Sequence, residues 1–130
     1  MSYNNCKETN VDFETSIKNV KEKLEEKGFG ILTEIDVQAI LKKKLDVDFY
    51  KYKIFGACHP HFAYLALKEE DKVGVMLPCN VIVQQKSENS KVEVSVVNPI
   101  ASMMAINNEK LKTIAGEVSD SFKQVIDGLE

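Results

Sequence analysis

Apolar side chains recur along the chain with the spacing of two amphipathic helices. From Phe13 to Leu24 they follow one another at intervals of three or four residues, which places them on one helical face. Asp12 precedes this segment and is a favourable N-cap, whereas Gly28 follows it and suits the left-handed position after a helix. Near the C-terminus the same spacing returns at Leu111, Ile114, Val118, Phe122 and Val125. We therefore predict a helix at each of these two places.

Four segments between these helices are predicted to be strands. Residues 29–35 form an apolar run, and residues 49–56 alternate between the two sides of a strand. Residues 80–86 and 91–97 flank a short polar segment and form the clearest hairpin. Their β-branched and aromatic side chains are typical of a half-buried sheet.

Shorter elements complete the predicted fold. Pro60 can open a helix, and Asp36 can cap another. The inner face of the helix after Asp36 is expected to carry Val37, Ile40, Leu41 and Leu45. Residues 73–77 are interpreted as a short strand, and residues 1–10 as a short edge strand or a frayed end. Because strands and helices alternate irregularly without a linker, we predict a single α+β domain over residues 1–130, with an antiparallel sheet backed by helices.

Composition restricts the class of protein. The 130 residues are 44% hydrophobic and 28% charged, which is typical of a globular domain that buries an apolar core. The net charge of −3 lacks the positive excess that phosphate backbones and anionic membranes attract, so neither nucleic acid nor a membrane is an expected partner. The first residues are polar and show no signal-peptide pattern, so a cytoplasmic location with reduced thiols is predicted.

One short segment concentrates side chains that can carry chemistry. Both histidines of the chain, His59 and His61, flank Pro60 and follow Cys58. If Pro60 opens a helix, Cys58 lies beside the positive end of the helix dipole, a position that favours reactive thiols in proteins. Cys79 is the second cysteine of interest. The total of three widely spaced cysteines argues against a disulfide framework.

Three interpretations of this segment stay open. In the first, both cysteines and a neighbouring histidine, His59 or His61, bind a soft metal such as zinc or copper, although their spacing matches no compact metal motif. In the second, Cys58 is a reactive thiol that meets a small thiol or sulfur compound, or it contributes to a ligand pocket. In the third, the cysteines are small core residues and the histidines are exposed turn residues.

Glu34 and Asp36 are a further candidate pair. They are two residues apart at the end of a predicted strand, so their side chains point to the same side if the strand continues that far. Paired carboxylates can bind a cation or take part in acid–base chemistry, whereas helix capping alone explains Asp36. The chain has no phosphate loop, dinucleotide fingerprint, zinc-protease motif or nucleophile elbow, which removes several large enzyme classes.

Three segments together resemble one protein family. Residues 28–37 (GFGILTEIDV), 56–60 (GACHP) and 77–81 (LPCNV) are similar, in the same order, to the domain of unknown function 302 family. The resemblance extends over about residues 12–125. It implies a β-α-β(4)-α fold of the TATA-binding-protein-like class, often as a homodimer, and it implies no activity. The shared fold name carries no suggestion of DNA binding.

The resemblance also indicates which positions matter. They are Glu34, Asp36, Cys58, Pro60, Cys79 and Asn80. The family usually has asparagine at the position of His59, which favours the two cysteines over a metal site that needs this histidine.

We therefore expect a pocket that contains Cys58 and Cys79 and is flanked by Glu34, Asp36 and Asn80. The leading hypothesis is a protein that binds a small molecule or a sulfur species, with a redox-linked role as one option. The alternatives are a non-catalytic homodimeric interaction module and a zinc- or copper-binding protein. The residues identify no cofactor, and whether the protein is an enzyme stays open.

Overall fold

Residues 2–130, the part of the chain that the computed structural model describes, form a mixed α+β domain. Its strands are β1 (Asn4–Thr9), β2 (Gly30–Asp36), β3 (Lys51–Cys58), β4 (Cys79–Gln85) and β5 (Val92–Val97). Its helices are α1 (Phe13–Glu26), α2 (Val37–Leu45), α3 (Pro60–Glu69), α4 (Pro99–Ser102) and α5 (Glu109–Asp127). A 3-10 helix spans Asp71–Met76.

The strands form one antiparallel sheet in the order β1-β5-β4-β3-β2. If the short helices between strands are set aside, the chain follows the predicted β-α-β(4)-α order. The N-terminal segment is an edge strand, since β1 pairs with β5 from Asn4 to Thr9. For residues 4–9 this pairing corresponds to the edge-strand alternative, and Met1 lies outside the described residues. The prediction of an antiparallel sheet backed by helices is confirmed.

Helix α1 begins and ends at the predicted signals, and α5 begins at a cap that the sequence analysis did not identify. The Asp12 carboxylate accepts a hydrogen bond of 2.7 Å from the backbone N–H of Thr15. Hydrogen bonding to Thr15, through its side chain first and its backbone N–H second, lowers the pKa of Asp12. Gly28 follows α1 with a φ of +87°, a conformation that favours glycine. Asn108 caps α5 through a 3.1 Å hydrogen bond from the backbone N–H of Leu111. Local sequence therefore fixes both ends of α1 and the start of α5.

Helices α1 and α5 pack on one face of the sheet and form the main core. Alternate residues of β4 and β5 point into it, namely Val81, Val83, Val92, Val94 and Val96. They meet Val20 and Leu24 of α1 and Phe122 of α5, all fully buried. Most side chains at the intervening strand positions are partly or fully exposed, so the opposite face of the sheet is left without such a cover.

Two sequence predictions need correction. The expected inner face of α2 is not buried, since Ile40 is 43% exposed and Leu45 is 66% exposed. This helix connects β2 to β3 and contacts mainly β3. Its apolar side is therefore not covered by the main core. Residues 73–77 form no strand in the structure. Residues 73–76 belong to the 3-10 helix, and Leu77 caps its end, with its backbone N–H donating to the carbonyl of Gly74. Within residues 2–130, no helix is long and apolar enough to span a bilayer.

Candidate functional site

The two cysteines of interest line one cavity. In the β3–β4 ladder Ala57 is the partner of Cys79, so Cys58 lies one residue further along β3. Leu77 leads into β4 through a cis peptide bond to Pro78. Between these strand ends and helices α3 and α5, the structure leaves a cavity of about 40 Å³ whose walls include both thiols. Two cysteines that are 21 positions apart in the chain thus meet at one place in the fold.

The environments of the two thiols differ. Cys79 is 8% exposed, and burial raises its pKa to about 11, with a smaller contribution from the nearby Cys58. Cys58 is only partly buried. At neutral pH Cys79 is therefore an uncharged thiol inside the protein, and Cys58 is the thiol that a dissolved molecule reaches first.

His59, which follows Cys58, is a packing residue and a helix cap. Its Nδ1 accepts a long hydrogen bond of 3.5 Å from the backbone N–H of Phe62 at the start of α3. The ring packs edge-on against Phe29, with 5.3 Å between the ring centroids. Gly28 makes room for it, since a Cβ there would lie 2.7 Å from His59 Nε2. The imidazole therefore forms part of the cavity wall while its nitrogens face the α3 backbone and Gly28.

The side chains considered as metal ligands do not come together as a set. His61 is exposed, and its ring centroid lies 6.3 Å from that of His59. Across residues 2–130, no group of three or more His, Cys, Asp or Glu side chains is arranged to hold a metal ion. The fold brings Cys58 and Cys79 to one cavity, and the zinc or copper interpretation stays a prediction.

The carboxylates expected beside the pocket lie elsewhere. Cys58 pairs with the first residue of β2, whereas Glu34 is opposite Phe55, three residues or about 10 Å further along the strands. Asp36 is more distant still, and its Oδ1 accepts a 3.0 Å hydrogen bond from the backbone N–H of Ala39 as the N-cap of α2. The expectation that both carboxylates flank the pocket is therefore wrong.

Glu34 belongs instead to a cluster of ion pairs. Its carboxylate oxygens lie 3.2 Å from Lys21 Nζ and 3.3 Å from Lys53 Nζ. The hydrogen bond from Lys21 is the main cause that lowers the pKa of Glu34. A carboxylate held between two ammonium groups stays ionised at neutral pH, so it is poorly suited to donate a proton.

Asn80 follows Cys79 but lies on the other face of the sheet. Successive residues of a strand point to opposite faces, and Cys79 points toward the helices. Asn80 is exposed and sits opposite Gly56 in the β3–β4 ladder. It lines a groove on the face that α1 and α5 leave uncovered. Asn80 is therefore not part of the thiol cavity.

The uncovered face of the sheet, called the open face below, carries a continuous row of side chains. The strand ladders align one position from each strand, giving the row Cys6, Ser95, Ile82, Ile54 and Ile35. Beside this row, Tyr3 and Tyr52 border a groove of about 520 Å³. Burial raises the pKa of Tyr52, as do the neighbouring Tyr50 and Tyr3 to a smaller extent. The alternation of side chains along the strands predicts that the sheet has a second face. It does not predict that no helix covers this face.

Sequence reasoning missed most of the cavity wall. The additional lining side chains include Phe62, Ala66, Met103, Ile114 and Val118. Their apolar character and helical spacing identify them as inward-facing residues. Nothing in that pattern shows that α3 and α5 leave a void between them next to the cysteines.

Taken together, these features define a class of protein: a two-layer α+β domain with one five-stranded antiparallel sheet and a small apolar cavity at the start of α3. The family model described as "Domain of unknown function DUF302" matches residues 5–129. The chain therefore belongs to this family. The resemblance inferred from three short motifs is confirmed.

A solved structure supports the same assignment. The crystal structure of an uncharacterized conserved protein, DUF302, from Bacillus stearothermophilus is 26% identical to this chain, with a TM-score of 0.89. The match covers 98% of each chain. No functionally curated protein matches. Family and fold are thus shown, and function has to be argued from the cavity and the open face.

Proposed function

We propose that this protein binds a small molecule or a sulfur species in the cavity beside Cys58 and Cys79, in the cytoplasm. The observation that carries the proposal is the convergence of two cysteines, distant in the chain, on one apolar cavity. A cavity beside a partly exposed thiol is a suitable place to hold a reactive sulfur compound. The proposal includes no catalytic step, since Glu34 and Asp36 lie away from the cavity and His59 serves as a helix cap.

The two thiols take different roles in this proposal. Cys58 is partly exposed and meets the ligand, whereas Cys79 is buried and uncharged and forms the inner wall. Thiolates, and not thiols, attack disulfides and other electrophilic sulfur atoms. A reaction with such a ligand therefore takes place at Cys58, and Cys79 supplies a polarizable contact.

A direct test uses dimethyl disulfide as the probe in a Cys6→Ala background. The Cys58 thiolate is expected to attack one sulfur of the probe, forming a mixed disulfide as the S–S bond of the probe breaks and methanethiolate leaves. Mass spectrometry of the native protein should show one methylthio group, held as a mixed disulfide, on Cys58 and none on Cys79. In denaturant both cysteines should react.

The matched control is Cys58→Ala in the same background, which should stay unmodified when folded. An unmodified Cys58 in native protein, together with full modification after unfolding, would rule out the proposal, because it would show that solutes do not reach the cavity.

The second candidate is a non-catalytic homodimeric module that pairs through the open face. Three isoleucines, Ile35, Ile54 and Ile82, lie in one row there, with polar Asn80 and Gln84 near them. An apolar centre with a polar rim is the usual anatomy of an interface. Ile82 lies on the central strand, so a two-fold axis through it would bring the same row of a second copy into register.

The substitution Ile82→Lys tests the second candidate. It would place a charge at the centre of the interface, and the dimer dissociation constant is expected to rise about 30-fold or more, which sedimentation measures. Val75→Lys is the matched control, because Val75 is 84% exposed on the 3-10 helix outside the row. Cys58→Ala and Cys79→Ala should leave association intact. A monomeric wild-type protein at high concentration would exclude this module.

A further inference from the structure

The size of the thiol cavity limits what can occupy it. Its volume is about 40 Å³, whereas an apolar cavity of about 150 Å³ binds benzene. The cavity therefore holds a ligand smaller than benzene. Nucleotides, flavins and peptides such as glutathione are far too large to be enclosed there. A ligand that is enclosed in this cavity has only a few heavy atoms.

The walls of the cavity exclude charge. Of the described residues 2–130, no Asp, Glu, Lys or Arg lines it, and among the lining side chains His59 alone carries a nitrogen or oxygen atom. The His59 Nδ1 already accepts a hydrogen bond from the Phe62 amide. An ion in such a place loses its hydration and finds no partner, which costs several kcal/mol.

The start of α3 does not offset this cost. Pro60 has no N–H, the Phe62 N–H donates to His59, and the Ala63 N–H donates to the carbonyl oxygen of His59 at 2.9 Å. Of the first four residues of this helix, only His61 retains an amide that a ligand could use. The helix end therefore lacks the group of open N–H donors that anion sites at helix N-termini require.

Three residues that line the cavity contain sulfur. They are Cys58, Cys79 and Met103. Methionine and cysteine sulfurs are polarizable and pack well against apolar and sulfur-containing groups. Such a wall suits a soft, apolar ligand better than a strongly hydrated one.

We infer that the ligand of this cavity is an uncharged sulfur compound of a few heavy atoms, such as a small thioether or an un-ionised alkyl thiol, and not an anion. This inference rests on the proposed function and specifies its ligand class. It implies that the cavity distinguishes neutral sulfur compounds from anionic ones such as polysulfides.

Two probes of equal size but different charge test the inference. Dimethyl sulfide is neutral with three heavy atoms, and thiocyanate is a soft anion with three heavy atoms. In NMR titrations of the full chain, dimethyl sulfide should shift the Met103 methyl signal and the amide signals of Ala57 and Ala66. Thiocyanate should bind at least tenfold more weakly at this place.

A cavity-filling variant identifies the site. Ala66→Leu should abolish the response to dimethyl sulfide, because Ala66 is buried in the cavity wall. Ala63→Val serves the same purpose if the larger change prevents folding, and Ala105→Leu at an exposed position is the control. Thiocyanate binding equal to or tighter than that of dimethyl sulfide would overturn the ligand class.

The outcome also separates this inference from the proposed function. If neither probe binds while Cys58 still reacts with dimethyl disulfide, the cavity is a packing void and the inference fails, but the reactive thiol survives. If Cys58 is unreactive as well, both fail together.

Discussion

Replacing Phe122 with alanine is expected to lower the free energy of unfolding by about 3–5 kcal/mol. Phe122 is completely buried between α5 and the sheet, and its ring stacks on Phe29 with 4.7 Å between centroids. The substitution removes this packing and leaves a void that the surrounding strands fill only in part. Urea denaturation followed by far-UV circular dichroism measures the effect in a chain that contains no tryptophan.

Phe49→Ala is the matched control for this prediction. Phe49 is only partly buried and stacks on Tyr50 near the start of β3, so its loss should cost clearly less than that of Phe122. Because Phe29 also supports His59 beside the thiol cavity, the Phe122 variant should in addition change the NMR signals of that wall. A cost below about 1 kcal/mol for Phe122→Ala would contradict the assigned position of α5 in the core.

The long helices and the sheet could be predicted because local sequence signals alone identify them. In α1 a cap at Asp12, a regular apolar stripe and Gly28 agree with one another. Helix α2 has the same kind of cap and stripe, yet none of its residues is buried. A stripe shows which side of a helix is apolar, but whether another element covers that side depends on the tertiary arrangement.

The candidate site could be predicted only where strand pairing agreed with the motifs. The register that sets Ala57 opposite Cys79 brings the two cysteines to one end of the sheet. The other expected pocket residues do not lie beside the cysteines. Asn80 points to the open face, and Glu34 lies several residues further along β2. Register and face are decided by long-range pairing, and a one-residue step reverses the side of a strand.

His59 shows why clustering of rare residues can mislead. Its position between Cys58 and Pro60 is equally compatible with a ligand and with a helix cap. The structure shows that it caps α3 and packs beside Gly28 and Phe29. The small size of Gly28 is the sequence feature that could have indicated this packing, but its effect is visible only once α1 and α3 are placed together.

The stability of the protein is expected to fall between about pH 9 and pH 11 through the ionisation of Cys79. Its pKa rises from an ordinary value of 9.0 to about 11 in the folded chain, mainly through burial. In this window the unfolded chain releases the thiol proton while the folded chain keeps it, so rising pH favours unfolding. The contribution of Cys79 is fully present below about pH 9, and on the order of 2–3 kcal/mol is lost as the pH approaches 11.

A comparison of variants isolates this effect from other groups that titrate at high pH. Cys79→Ala removes the buried thiol, so the difference in unfolding free energy between wild type and this variant should shrink as the pH rises. Cys6→Ala is the control, because Cys6 is exposed and its difference from wild type should stay nearly constant. If the difference for Cys79→Ala is also constant across this range, Cys79 titrates alike in the folded and unfolded chain. The thiol would then be open to solvent, and its assignment as the uncharged inner wall of the cavity would fail.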